Sequence, residues 1–170
     1  MRLAVPAVLG ALLAFMALAC PTVVFAQYGT GAPLPDIDAA AWRLEVTGPA
    51  VRNPFMLTYE ELLRLETVGK REQLICPGLF AYFADWEGVP LSALLTMGQA
   101  DPDYREVTFS AADGFVASFK REEIESHLLF IAVRKNGAPL PREEGSPARI
   151  VAVGFTGGRW VRWLTGIEVE

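Results

Sequence analysis

The sequence has very few residues of the kinds that bind metals or form disulfides. It contains one histidine, His127, and two cysteines among 170 residues. It has no Cys-x-x-Cys motif and no His-Glu-x-x-His motif, so a zinc site built only from protein side chains is nearly excluded. The acidic pairs Glu122-Glu123 and Glu143-Glu144 are typical of a solvated helix face and a solvated loop, and no calcium-loop spacing occurs.

The sequence also lacks an excess of basic residues. Its 15 lysines and arginines are outnumbered by 20 acidic residues, which gives a formal net charge of −5. A moderately acidic domain has no electrostatic attraction for phosphate backbones or for anionic lipid surfaces. We therefore expect no nucleic-acid partner.

Charge is almost missing from the first 26 residues, where Arg2 is the only charged side chain. Residues 3–19 are almost wholly apolar, and a small residue, Ala26, ends the segment. This pattern predicts a signal peptide over residues 1–26 with cleavage near Ala26. The mature protein would then be periplasmic or secreted, with no integral membrane span.

Two other interpretations of the N-terminus remain open. An apolar stretch of this length can just span a bilayer as an uncleaved anchor helix. Lipidation at Cys20 is the second alternative, although the usual aliphatic residue three positions before the cysteine is missing. Consecutive arginines are also missing, so the signal is of the type that exports unfolded chains.

Cleavage would leave Cys76 as the one cysteine of the mature domain, in a compartment where thiols are usually paired. It has three interpretations: a buried structural residue, a reactive thiol, or the one protein ligand to a metal that brings its other ligands with it. The segment Ile75-Cys76-Pro77-Gly78 places the thiol where a strand breaks into a loop. A nucleophile–base pair with His127 is disfavoured, since that histidine is expected to lie on the surface.

The remaining chain is long enough for one domain, which we place at residues 41–170 after a Gly- and Pro-rich flexible lead-in at residues 27–40. Helices are predicted at residues 57–65, where Thr58 and Glu61 form a capping box, at 90–98 and at 121–126. Strands are predicted at residues 42–46, 70–76, 107–110, 115–119, 128–133, 150–153 and 160–169. The Asp113-Gly114 turn predicts a hairpin between the third and fourth of these strands. The unbroken apolar runs at 128–133 and 150–153 predict strands buried on both faces. Strands outnumber helices in an irregular order, which predicts an α+β fold with mixed sheets and short helices.

Several motifs resemble the sulfite oxidase family in the same order along the chain. Cys76 is followed by WEGVPLSALL at residues 86–95, which is similar to the segment after the molybdenum-ligating cysteine of that family. The resemblance continues through DGF at 113–115, NGAPL at 136–140, GSPARIV at 145–151 and WVRWLTGIEV at 160–169. It covers nearly the whole of the predicted mature domain.

The resemblance implies a sulfite-oxidase-type domain that holds a molybdenum-molybdopterin cofactor. By position, Cys76 would be the catalytic metal ligand, because the cofactor itself supplies most of the other ligands. Arg149 and Arg162 would contact the pterin or its phosphate, with Arg159, Gly157 and Gly158 as second choices. The implied activity is oxygen-atom or two-electron transfer on a small-molecule substrate, with an electron-transfer protein as partner.

The main alternative is a cofactor-free exported module for binding or assembly on the same fold. The chain has Glu144 where the family often has histidine, and Arg162 where lysine is common. A thiol-based redox protein is a weaker alternative, because the mature chain has no resolving cysteine. No motif identifies the substrate.

Overall fold

A computed structural model describes residues 33–170 of the chain. The predicted signal peptide, its cleavage near Ala26, Cys20 and the first part of the predicted lead-in lie outside the described residues. Within residues 33–170 no helix is both long enough and apolar enough to cross a membrane.

The described residues form ten strands, three short α-helices and two 3₁₀ turns. The strands are β1 (Arg43–Thr47), β2 (Phe55–Thr58), β3 (Val68–Cys76), β4 (Phe80–Pro90), β5 (Glu106–Ala111), β6 (Val116–Lys120), β7 (Leu129–Lys135), β8 (Ala138–Pro139), β9 (Arg149–Ala152) and β10 (Leu164–Val169). The helices are α1 (Tyr59–Leu63), α2 (Leu91–Met97) and α3 (Arg121–Ser126), and the 3₁₀ turns lie at Arg142–Glu144 and Gly157–Arg159. The predicted α+β class with mixed sheets is confirmed.

The first sheet has the strand order β2-β1-β10-β5-β6. Its β1–β10 pair is parallel, and the other pairs are antiparallel. Alternating positions of β1 and β5 are buried, as expected for strands with one face on a core. The predicted hairpin between β5 and β6 is present, and Gly114 in its turn has a φ of +83°, which favours glycine.

The second sheet has the order β3-β4-β7-β8, and β9 also pairs with β7. Residues 129–133 of β7 and all four residues of β9 are buried. These are the two unbroken apolar runs for which the sequence predicts strands buried on both faces, and the prediction is confirmed. The sheet therefore holds β9, which carries Arg149, deep in the core.

The sequence predictions differ from the structure at β4 and just before β10. The long strand β4 was not predicted, because Gly88 and Pro90 interrupt its alternation of inward- and outward-facing residues. Conversely, residues 160–163 are not a strand, and β10 begins only at Leu164. The indole N–H of Trp160 donates to the carbonyl oxygen of Ala152 at 2.9 Å, and that of Trp163 donates to Arg142 at 3.0 Å. These bonds fix Trp160 against the end of β9 and Trp163 against the 3₁₀ turn at Arg142–Glu144.

Helix α1 keeps its predicted cap but is shorter than predicted. Thr58 is the N-cap, and its hydroxyl accepts from the Glu61 backbone N–H at 3.2 Å. The Glu61 carboxylate in turn accepts from the Thr58 backbone N–H at 2.8 Å. Leu57 lies in β2, so the helix starts only at Tyr59.

An ion pair between Arg159 and Glu123 connects the two sheets. Arg159 Nη1 lies 2.5 Å from Glu123 Oε1, and Nη2 lies 3.0 Å from Oε2. The guanidinium also donates to the carbonyl of Ser118 and lies 3.9 Å from the centre of the Phe119 ring. It therefore holds the 3₁₀ turn at Gly157–Arg159 against α3 and β6. This turn follows β9, a strand of the second sheet.

The pair makes stability depend on pH. Hydrogen bonding from Arg159 holds the pKa of Glu123 at about 2, below its ordinary value of 4.5. A lowered folded-state pKa gives stability that is present above pH 4.5 and is lost as the pH falls towards 2. We expect Glu123→Gln to lower the free energy of unfolding by about 1 to 2 kcal/mol at pH 7 and to have little effect near pH 2.

Urea denaturation between pH 7 and pH 2.5 measures this effect. Glu122→Gln is the matched control, because Glu122 lies exposed on the same helix. If both variants gave the same pH profile, Glu123 would have no special part in holding the turn.

Candidate active site around Cys76

Cys76 is the last residue of β3, where a tight turn leads into β4. The backbone N–H of Leu79 donates to the Cys76 carbonyl at 3.0 Å and closes this turn. Side chains alternate along a strand, so Cys76 shares its face with the buried Leu74 and not with the exposed Ile75. The thiol is half-buried, at the edge of the core and still accessible.

Gly157 lies directly against the thiol. A Cβ atom at this position would be 2.7 Å from Cys76 Sγ and 2.8 Å from Leu74 Cδ1. Both distances are shorter than real carbon contacts, so any larger side chain would displace the cysteine. The glycine therefore keeps the space beside the sulfur clear of protein side chains on this side.

Arg149 and Arg162 lie close enough to the thiol to act on its titration. Burial raises the pKa of the Cys76 thiol above its usual value, and the positive charges of the two arginines act in the opposite direction. Arg149 is 2% exposed and lies over the rings of Trp86 and Trp160 at 5.0 and 5.6 Å. Arg162 donates to the Glu143 carbonyl and lies 4.5 Å from the Trp163 ring centre.

The other predicted site residues lie in different surroundings. Arg159 is engaged by Glu123 and Ser118, as described above. A Cβ atom added to Gly158 would have no neighbour within 4 Å, in contrast to the close contact at Gly157. His127 is exposed, and its Nδ1 lies 3.0 Å from the Glu123 carbonyl oxygen. The structure thus brings together Cys76, Gly157, Arg149 and Arg162.

Glu144 was expected in a solvated loop, and this expectation is wrong. Its side chain is only 19% exposed. Oε1 accepts from Tyr82 Oη at 2.6 Å and from Lys135 Nζ, and Oε2 accepts from Arg149 Nη1 at 2.7 Å. Burial alone would raise the pKa of Glu144, but hydrogen bonds from Lys135 and Tyr82 outweigh it and leave the pKa below its ordinary value.

This network, which we call the Glu144 cluster, consists of Tyr82, Lys135, Glu144 and Arg149. Its members come from β4, β7, a 3₁₀ turn and β9, so only the folded sheet brings them together. Sequence reasoning missed Tyr82, Lys135 and Glu144 as site residues. The one local signal was the closeness of Glu144 to Arg149 in the chain, five residues apart.

The charges around the thiol suit an anionic ligand. Arg149 and Arg162 carry two positive charges that act on the thiol, and Glu144 contributes one negative charge. Arginine forks bind phosphate-like anions well, and an excess of positive charge at a partly buried site favours them.

The residues present fit a metal cofactor that supplies its own ligands. Among the described residues, no three histidine, cysteine or acidic side chains are grouped so as to hold a metal ion. Because Gly157 has no side chain, its turn packs against the Cys76 sulfur without displacing it, whereas a Cβ atom would lie 2.7 Å from Sγ. The buried indole nitrogen Nε1 of Trp86, under Arg149, has no hydrogen-bond partner among the residues that the structure describes. A buried donor of this kind is normally satisfied, so its position is consistent with a polar ligand.

The chain is similar to one family of oxidoreductase domains. A family model described as "Oxidoreductase molybdopterin binding domain" matches residues 31–170. The structure is similar to the sulfane dehydrogenase SoxCD from Paracoccus pantotrophus, with a TM-score of 0.73 and 25% identity. That match covers 80% of this chain and 40% of the SoxCD chain.

Two curated relatives show the extent of the similarity. The chain is 30% identical over 165 residues to the protein-methionine-sulfoxide reductase catalytic subunit MsrP of Gluconobacter oxydans, covering 85% of this chain and 51% of that protein. It is 26% identical to a nitrate reductase [NADPH] of Beauveria bassiana, covering 79% of this chain and 18% of that protein. The chain thus spans about half or less of these relatives. Its match over residues 31–170 shows that it belongs to the oxidoreductase molybdopterin-binding domain family.

Proposed function

We propose that this chain is an exported molybdopterin-dependent oxidoreductase in which Cys76 is the protein ligand to molybdenum. The reaction is oxygen-atom or two-electron transfer on a small substrate. The observation that carries the proposal is the position of the thiol, half-buried against Gly157 and within electrostatic reach of Arg149 and Arg162.

Each of these residues has a distinct part in the proposed site. Gly157 lets its turn pack against the sulfur without moving it, whereas a larger side chain would displace Cys76. Arg149 and Arg162 hold the anionic part of the cofactor by charge and hydrogen bonding. When bound, molybdenum-molybdopterin supplies the two-electron redox centre at which the substrate reacts.

Cys76 must be deprotonated to serve as a metal ligand. Burial disfavours the thiolate, whereas the charges of Arg149 and Arg162 favour it. The same two arginines therefore act both on the cofactor's anion and on the ligand sulfur.

The proposal includes export of the protein and a partner that exchanges electrons with it. The apolar segment before Ala26 supports a cleaved signal peptide, and thus a periplasmic or secreted location. Membership of the molybdopterin-binding domain family supports an electron-transfer protein as the partner that supplies or removes the electrons.

Elemental analysis of the protein purified from its own export compartment tests the metal site. We expect about one molybdenum per chain, because one cysteine completes one metal centre, and we expect Cys76→Ser to lose it. The mass of the same purified chain tests cleavage near Ala26. Absence of molybdenum and tungsten from a correctly folded wild-type protein would contradict the proposal and favour the cofactor-free binding module.

The role of Arg162 is tested by varying its charge. Arg162→Gln removes the positive charge, and we expect it to lower the fraction of chains that contain cofactor by about tenfold, the loss typical of a broken charge-assisted contact. Arg162→Lys keeps the charge and should retain most of the cofactor. Molybdenum content together with fluorescence of the released pterin measures this. Equal content in the two variants would argue against a role for the charge.

The two neighbouring glycines give a matched test of the space beside the thiol. Gly157→Ala places a Cβ atom 2.7 Å from Cys76 Sγ, whereas Gly158→Ala meets nothing within 4 Å. We expect Gly157→Ala to lower the free energy of unfolding by about 1 to 3 kcal/mol and to reduce molybdenum content, and Gly158→Ala to change neither by much. Urea denaturation and elemental analysis measure the two effects. If both variants behaved like the wild type, the close packing at Gly157 would not constrain the site.

A further inference from the structure

The β3–β4 hairpin places an aromatic ring directly opposite the thiol. Cys76 on β3 pairs with Phe80 on β4 in the antiparallel register. Residues directly opposite each other in such a pair have Cβ atoms about 5 Å apart, and their side chains lie on the same face. The Phe80 ring is 50% exposed, so it lies beside Cys76 at the solvent side of the site.

The Phe80 ring is held by Tyr82, the next residue of β4 on the same face of the sheet. It stacks on Tyr82, with ring centres 5.8 Å apart and planes inclined by 21°. Tyr82 is fixed in turn, because its hydroxyl donates to Glu144 at 2.6 Å and accepts from Lys135 Nζ at 3.0 Å. The Glu144 cluster therefore supports an exposed ring that would otherwise have few constraints.

We propose that Phe80 is a specificity-determining residue. Its ring, which we call the aromatic wall, lies beside Cys76 and favours uncharged substrates with an apolar or sulfur-bearing group over small inorganic anions. This inference rests on the proposed function, since it describes how a substrate reaches the centre bound to Cys76. The face of an aromatic ring carries partial negative charge, so it attracts apolar and sulfur groups and repels anions. The positive charges of Arg149 and Arg162 would attract an anionic substrate only where the bound cofactor leaves these arginines accessible.

The same strand provides a matched control. Phe83 is 58% exposed, but the alternation of β4 places it on the opposite face from Phe80 and Tyr82. Its ring lies 5.8 Å from the guanidinium carbon of Arg71. Truncation of Phe83 thus removes a similar exposed ring without changing the wall beside Cys76.

The loaded enzyme is tested with reduced viologen as electron donor and two oxygen-atom donors, methyl phenyl sulfoxide and nitrate. In the first reaction the S–O bond breaks, and two electrons from the dye with two protons give the sulfide and water. In the second, an N–O bond breaks with the same electrons and protons, giving nitrite and water. We expect the wild type to prefer the sulfoxide.

Phe80→Ala should lower kcat/KM for the sulfoxide about three- to tenfold, mainly through KM. It should not lower kcat/KM for nitrate, because loss of the ring removes its repulsion of anions. Phe80→Tyr keeps the ring and should behave like the wild type, as should Phe83→Ala. A wild-type preference for nitrate, or equal losses for both substrates in Phe80→Ala, would overturn the proposal.

A second measurement needs no metal. Cys76 in the cofactor-free protein is alkylated with N-phenylmaleimide, which is neutral and aromatic, or with iodoacetate, which is an anion, and peptide mass spectrometry locates the label. We expect Phe80→Ala to slow labelling by the maleimide about threefold or more relative to iodoacetate, and Phe83→Ala to leave the ratio unchanged. An unchanged ratio in Phe80→Ala would overturn the aromatic wall. If the wild type contained no molybdenum but the variants gave the expected labelling ratios, the proposed function would be overturned and the aromatic wall at Phe80 would be supported.

Discussion

The arrangement of the site depends on the hydrogen bonds and ion pairs that the Glu144 carboxylate makes. This carboxylate accepts hydrogen bonds from Tyr82, Lys135 and Arg149 and so connects two strands of the second sheet with β9 and a 3₁₀ turn. Loss of one partner from a mostly buried ion pair leaves an uncompensated charge, which is strongly destabilising. The carboxylate also offsets part of the positive charge beside Cys76, so that two buried or half-buried cations coexist near the thiol.

A second constraint is the close approach of two loops at the sulfur. Cys76 ends β3, and Gly157, which is 81 residues later in the sequence, lies in the turn that follows β9. The turn is held from its other side by the Arg159–Glu123 pair, which lies at the first sheet. The space beside the thiol therefore depends on contacts from both sheets, and Arg159 supports this space from outside it.

Local signals predicted much of the fold. The capping box of Thr58 and Glu61, the Asp113-Gly114 turn and the apolar runs of β7 and β9 act through neighbouring residues, so the sequence shows them directly. The strand β4 was missed because its glycine and proline interrupt an otherwise regular alternation. Residues 160–163 were assigned to a strand because their composition suits one, but indole hydrogen bonds to the carbonyls of Ala152 and Arg142 hold Trp160 and Trp163 outside β10.

The sequence by itself determined the α+β class, the position of Cys76 at a strand end and the family motifs around it. These depend on residues close together in the chain or on their order along it. Only the tertiary structure decided which charged groups surround the thiol. It paired Arg159 with Glu123, placed Glu144 among Tyr82, Lys135 and Arg149, and set Phe80 opposite Cys76. Charge and burial act through space, and strand register fixes which distant side chains share that space.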